Sequence, residues 1–161
     1  MGIELGLSAP DFSLYDTDRK KVSLSEFKEK NILLLFIPAA FTSVCTAELC
    51  RIRDAPARYN NINCITLGIS TDTVFTLKKY KAEQQFNFPF LSDFNKEVSA
   101  LYGCLYLNWI LDMKGVSKRS AFIIDKSGIL RYKEILENAG ELPDFGSINS
   151  ILEELNNLNI T

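Results

Sequence analysis

The run Asn31 to Ile37, NILLLFI, is short, almost uniformly apolar and closed by Pro38. A strand with one wet face alternates polar and apolar residues, and a membrane helix needs about 20 apolar residues, so this run reads as a strand buried on both faces. Such a strand demands covering layers on both sides. A second run, Cys64 to Ile69 within NCITLGIS, has the same character. Between the two, Thr42 to Asn60 carries apolar residues at helical spacing, with Thr42 or Ser43 as the cap and Glu48 in the early turns. The order is strand, helix, strand. Pro56 falls inside the helical pattern, where it lacks an N–H and crowds the preceding turn, so the helix kinks there or its first half ends.

Downstream, Ser70-Thr71-Asp72 opens a second helix over VFTLKKYKAEQQF. Phe88 to Leu91 is a short apolar segment and Asn95 to Leu101 a short helix. Ala121 to Ile124 and Ile129 to Ile135 read as two strands joined by Asp125-Lys126-Ser127-Gly128, a turn composition that makes them a hairpin. Gly146 to Leu158 has helical spacing and follows the hairpin. Alternating strands and helices, then a hairpin and a helix, predict an α/β fold: a central mixed sheet flanked by helices, a sandwich similar to the thioredoxin-like folds. With 161 residues and no repeat or linker, one domain is expected over 1–161.

Composition removes whole classes of chemistry. The chain has no histidine, so Ser-His-Asp and Cys-His nucleophile pairs, histidine general bases and histidine-containing zinc sites cannot occur. Lys+Arg 18 against Asp+Glu 20 leaves a formal charge of -2, with no basic field for a nucleic-acid backbone or an anionic membrane. Neither partner is expected. Four cysteines, Cys45, Cys50, Cys64 and Cys104, are too scattered for a secreted disulfide scaffold, and two close thiols do not close a tetrahedral metal site, so no metal is expected. The opening MGIELGLSAPDF lacks a basic-then-apolar leader pattern, and Gly6 stands where a myristoylation signal wants Ser or Thr. The expectation is a cytoplasmic protein.

The segment from Pro38 to Cys50, PAAFTSVCTAELC, joins the end of a strand to the start of a helix. A cysteine in the first turn of a helix sits among unpaired backbone N–H groups at the positive end of the dipole, which favour thiolate over thiol. Cys45 is placed to be reactive. Thr42 can point its hydroxyl toward the same sulfur, and Pro38 shapes the loop without adding a competing N–H. Glu48, one turn on, would oppose a thiolate unless a cation holds it. Arg51, Arg53 and Arg119 are the candidates, the last standing at the entrance to a later strand. As plain structure, Cys45 would be inert filling, Glu48 a helix-surface carboxylate and Arg119 a solvated charge. Cys64, inside a strand, is expected simply to pack.

Pro38-x-x-x-Thr42-x-x-Cys45, the following Glu48, and Arg119 before AFIIDKSG resemble the active-site pattern of the peroxiredoxin family. LGLSAPDFSL, FIPAAFTSVCTAEL, LGISTD, FPFLSD, ALYG and KRSAFIIDKSGILRY look like the corresponding parts of that family in the same order, over most of the chain. The resemblance implies a thioredoxin-like fold and thiol-dependent reduction of hydroperoxides without a cofactor. It implies that Cys45 attacks the peroxide and becomes a sulfenic acid, while Thr42, Arg119 and backbone N–H groups stabilise charge on the departing oxygen. A second thiol must then return the sulfenic acid to thiol before further oxidation.

The spacing of Cys45 and Cys50 is similar to the Q-type peroxiredoxins, the bacterioferritin-comigratory-protein group, in which the second cysteine resolves the first. The later segment KGVSKRSAFIIDKSGILRY is more similar to one-cysteine members such as the E-type alkyl hydroperoxide reductases, which use an outside thiol. Five residues of helix separate alpha carbons by roughly 8 to 9 Å, beyond the roughly 7 Å a disulfide tolerates, so a Cys45–Cys50 bond requires the helix to unwind. Cys50 is the expected resolver, with Cys104 or an external thiol as alternatives. The reductant implied is a thioredoxin or glutaredoxin-like protein, and the chain is a monomer or, by preference, a homodimer. Phe41 and residues near Trp109 are expected to line the peroxide pocket, and Tyr102 to Trp109 is either core or interface. Two rivals share the reactive cysteine. A thioredoxin-type oxidoreductase would normally carry Cys-x-x-Cys where this chain has CTAELC, and a non-catalytic redox sensor would oxidise once without turnover.

Overall fold

The computed structural model describes residues 3–158. The strands are β1 (Ser13–Asp16), β2 (Lys21–Ser23), β3 (Asn31–Phe36), β4 (Cys64–Ser70), β5 (Phe90–Ser92), β6 (Leu105–Tyr106), β7 (Val116–Ser117), β8 (Ser120–Ile124) and β9 (Leu130–Ile135). The helices are α1 (Ser43–Arg53), α2 (Pro56–Tyr59), α3 (Val74–Gln84), α4 (Glu97–Leu101) and α5 (Phe145–Leu158). Seven strands form one mixed sheet in the order β2-β1-β5-β4-β3-β8-β9, and β6 pairs with β7 apart from it. The expected α/β sandwich with a central mixed sheet is present. Among the described residues no helix is long and apolar enough to cross a membrane.

The apolar run from Asn31 forms β3, with β4 parallel on one side and β8 antiparallel on the other. All six of its residues are buried. Successive side chains of a strand point to opposite faces, so Leu33 and Leu35 enter one core while Leu34 and Phe36 enter the other. The first core adds Leu49 and Ile52 of α1, Leu77 and Tyr80 of α3, and Ile148 and Leu152 of α5. The second adds Tyr102, Phe122 and Leu130. Each fully buried Leu or Ile contributes about 1.5–3 kcal/mol relative to exposure, so this double-sided core is the main stabilising element of the fold. Gly68 on β4 is required by close approach: a Cβ there would lie 2.8 Å from the Phe90 ring of β5.

Pro56 acts as its chemistry dictates. The helical pattern divides into α1 and α2, with Pro56 as the first residue of α2, where its missing N–H costs nothing. The predicted hairpin is β8–β9, turned by Gly128 at φ 83 and by Asp125 Oδ1, which accepts from the Ser127 and Ile129 N–H groups. The edge hairpin β1–β2 and the two-residue pair β6–β7 have no counterpart in the sequence reading. Phe36, the last residue of β3, pairs with Ser120, the first of β8. The chain after β3 and the residue before β8 therefore meet at one end of the sheet, and this register positions the site.

Candidate active site

Leaving β3, the chain passes Pro38 and turns at Phe41, whose φ is 65, before α1 begins. The turn is fixed from below: the Ala40 N–H donates to Asp72 Oδ2 at 2.8 Å, and Asp72 also bonds the Ser70 hydroxyl. Nothing in the sequence had singled out Asp72 for this task. Thr42 is the residue before α1, and Cys45 is the third residue of the helix. The first-turn N–H groups of Ser43, Val44 and Cys45 have no carbonyl available within the helix. Cys45 is fully buried and packs in the first core beside Leu49.

Arg119 reaches across from the start of β8 and is only 2% exposed. Its Nη2 donates to Cys45 Sγ at 3.2 Å and to the Ala139 carbonyl at 3.0 Å. Nε donates to the same carbonyl at 3.1 Å, and Nη1 donates to Glu48 Oε2 at 3.2 Å. One guanidinium thus holds a thiol, a carboxylate and a backbone oxygen at once. Of the three cations considered for Glu48, Arg119 is the one that meets it. Arg53 instead pairs with Asp54 and donates to the Gln84 carbonyl, and Arg51 lies over the Phe145 ring at 4.3 Å.

Glu48 is completely buried, which corrects the plain reading of a helix-surface carboxylate. Burial pushes its carboxyl up to about 7, against the opposing pull of Arg119, and Glu134 adds a smaller push upward. Among the described residues its Oε1 has no hydrogen-bond partner. A carboxylate oxygen stripped of water without replacement accounts for why desolvation outweighs the ion pair.

Two expectations are corrected. The Thr42 hydroxyl donates to the Ala39 carbonyl at 2.8 Å rather than toward the sulfur, because that carbonyl is turned to it by the loop. Its oxygen is thereby left as an acceptor. Phe41 does not line the cleft beside Cys45; it packs on Tyr80 with ring centroids 4.9 Å apart and is half exposed. The cleft, of about 380 Å³, is walled by Pro38, Thr42, Cys45, Tyr106, Trp109 and Arg119 among others. Tyr102 and Tyr106 belong to the interior, whereas Leu107 and Leu111 stand exposed, so the aromatic stretch divides after Tyr106.

The remaining cysteines separate by environment. Cys50 is half-buried on α1 against the first core, five residues from Cys45 along unbroken helix. Cys104 lies in the second core, on the other side of the sheet from Cys45, and burial pushes its thiol up to about 12. The structure does not bring Cys104 to the site. Cys64 packs in β4, its thiol likewise pushed up to about 12 by burial. Among the described residues no three Cys, Asp or Glu side chains are grouped to hold a metal.

Comparison with known proteins bears on this geometry. Residues 5–133 match the model of the AhpC/TSA family. Alkyl hydroperoxide reductase E of Mycobacterium tuberculosis is 36% identical over 145 residues, covering 88% of this chain and 91% of that protein. A mitochondrial thioredoxin-dependent peroxide reductase of Drosophila melanogaster is 34% identical over 154 residues, covering 89% of this chain and 62% of the other. The crystal structure of peroxidoxin BcpB from Mycobacterium tuberculosis superimposes with a TM-score of 0.82 at 27% identity, over 95% of this chain and 98% of the other.

Proposed function

This chain belongs to the AhpC/TSA family of thiol-dependent peroxide reductases, a peroxiredoxin-type peroxidase, and from that premise we propose that Cys45 is its attacking thiol. The observation that carries the assignment is the Arg119 guanidinium, buried and donating to Cys45 Sγ while anchored on Glu48 and Ala139. A cation aimed at a buried sulfur favours the thiolate, which is the nucleophile.

The steps follow from the donors present. The Cys45 thiolate attacks the terminal oxygen of a hydroperoxide; an S–O bond forms, the O–O bond breaks, and the alkoxide or hydroxide leaves and takes a proton. Cysteine sulfur is oxidised to sulfenic acid and peroxide is reduced to alcohol or water. Arg119 Nη2 and the first-turn N–H groups of α1 stabilise charge on the departing oxygen. Thr42, its proton held by Ala39, accepts the hydroperoxide O–H and orients it in line with the sulfur. Pro38 walls the cleft without a competing N–H. The apolar wall, including Val44, Tyr106, Trp109 and Ile110, suits organic hydroperoxides as well as hydrogen peroxide.

Cys50 then attacks the sulfenic sulfur, water leaves, and a Cys45–Cys50 disulfide results, to be reduced by a thioredoxin or glutaredoxin-like dithiol. The half-exposed Cys50 on the same helix supports this resolver, and it requires the first turns of α1 to open. A second reading, resolution by an external thiol, is favoured by the anchors on those turns: Thr46 bonds the Tyr80 hydroxyl at 2.8 Å, and Glu48 bonds Arg119.

The test is intact mass and disulfide mapping of reduced protein, quenched immediately after one equivalent of hydrogen peroxide. A Cys45–Cys50 bond supports the intramolecular resolver, and a lone oxygen on Cys45 supports the external thiol. Cys45→Ser abolishes turnover; retained turnover, or no rapid reaction in the unmodified protein, overturns the assignment.

A further inference from the structure

Arg119 is held on one side by the Glu48 carboxylate and on the other by the Ala139 carbonyl, which accepts from both Nε and Nη2. Glu48 is on a helix. Ala139 lies in the segment 136–144 between β9 and α5, outside any regular element. A loop carbonyl positions a guanidinium only as well as the loop itself is positioned.

Asn138 turns the loop on itself, its side chain accepting from Gly140 N–H and its carbonyl from Glu141 N–H. Three bonds tie its near end to the rest of the protein. Leu136 N–H donates to the Arg119 carbonyl at 2.9 Å, continuing the β8–β9 ladder. Lys118 pairs with Glu137 at 2.7 Å, but the Glu137 side chain is 77% exposed, and such a pair contributes little. The third is the Tyr106 hydroxyl, which donates to the Glu137 carbonyl at 2.7 Å. This bond attaches two residues before Ala139. Tyr106 is itself well fixed: it pairs with Val116 in β6–β7, stacks on Trp109 at 5.9 Å, and is buried.

We infer that Tyr106 is a positioning residue for Arg119, acting through the backbone of Glu137 and Ala139 to keep the guanidinium on Cys45. The inference rests on the proposed role of Arg119 in peroxide attack. Tyr106 does not touch the sulfur. Without its hydroxyl the Glu137 carbonyl loses its anchor, the Ala139 carbonyl drifts, and Nη2 spends less time on Cys45 Sγ. The aromatic ring, which walls the cleft, is a separate contribution and survives replacement by phenylalanine.

The experiment compares the full chain with Tyr106→Phe, Arg119→Ala and the double variant, measuring the rate constant for Cys45 oxidation by hydrogen peroxide and by a bulky organic hydroperoxide. Tyr106→Phe slows both about five- to tenfold, the scale of one neutral hydrogen bond. Equal slowing separates loss of the hydroxyl from damage to the wall, which would change the ratio between the two peroxides. In the Arg119→Ala background the same substitution has no further effect, because the tether has nothing left to position.

Additive effects in the double variant overturn the proposal, as does an unchanged rate in Tyr106→Phe when Arg119→Ala is slow. If Arg119→Ala itself oxidises at the unmodified rate, the assigned role of Arg119 fails and the tether fails with it. Should Tyr106→Phe fold poorly, Asn138→Ala takes its place, removing the side-chain acceptor of the Gly140 N–H and loosening the loop beside Ala139: slowed oxidation that vanishes in the Arg119→Ala background supports the tether, and an unchanged rate overturns it.

Discussion

Glu48→Gln isolates the electrostatics of the site in a stability measurement. The folded protein holds the Glu48 proton up to about pH 7, whereas the unfolded chain releases it near the ordinary carboxylate value of 4.5. Between those values the folded state binds more protons, so stability falls as pH rises; the contribution is fully present below 4.5 and is lost through 7. Each unit of difference is about 1.4 kcal/mol, so ionising this carboxyl costs the fold about 3 kcal/mol, undiscounted because the group has no solvent contact. Glutamine keeps an oxygen for Arg119 Nη1 and cannot ionise. Urea unfolding of reduced protein and variant at a series of pH values gives the quantity of interest, the difference between the two stabilities, in which other titrating groups cancel. That difference moves in favour of Glu48→Gln by about 3 kcal/mol between pH 4.5 and about pH 8, or about 6–12 °C in midpoint for a chain of this size. A difference independent of pH refutes the reasoning. A variant that loses ground as pH rises would show that the ion pair to Arg119, rather than burial, governs the carboxyl.

The other substitutions separate the roles around the sulfur. Arg119→Ala removes the principal donor and slows Cys45 oxidation about a hundredfold or more, read by stopped-flow mixing with peroxide, and its destabilisation grows with pH as Glu48 ionises unpaired. Cys50→Ser leaves the first oxidation at the unmodified rate but makes recycling depend on added small thiol, with sulfinic acid accumulating on Cys45 in mass spectra. Unchanged turnover with a thioredoxin system would move resolution to an external thiol.

What could be read from the residues, and what could not, divides along physical lines. β3 and β4 were legible because strands buried on both faces need no polar alternation, and the β8–β9 turn because Asp125 and Gly128 supply its bonds and its positive φ. β1 and β2, by contrast, are three or four half-exposed residues each, and β6 and β7 two; pairing with a partner, not local pattern, makes them strands. The same distinction runs through the site. Cys45, Thr42 and Arg119 were singled out by their side-chain chemistry and by resemblance to a family pattern, and the antiparallel pairing of Phe36 with Ser120 carries Arg119 across 74 residues to the sulfur. The burial of Glu48 was invisible, since a helix position reveals its exposed face only once its neighbours are placed. Least visible were the backbone acceptors, the Ala39 carbonyl that takes the Thr42 proton and the Ala139 carbonyl that steadies Arg119. Alanine contributes to both through an oxygen that every residue possesses, so no residue type announces it. Substitution at those alanines is therefore a poor probe of their roles, and the side chains that fix the loops carrying them, such as Tyr106 on the Glu137 carbonyl two residues before Ala139, are where a change reaches the chemistry.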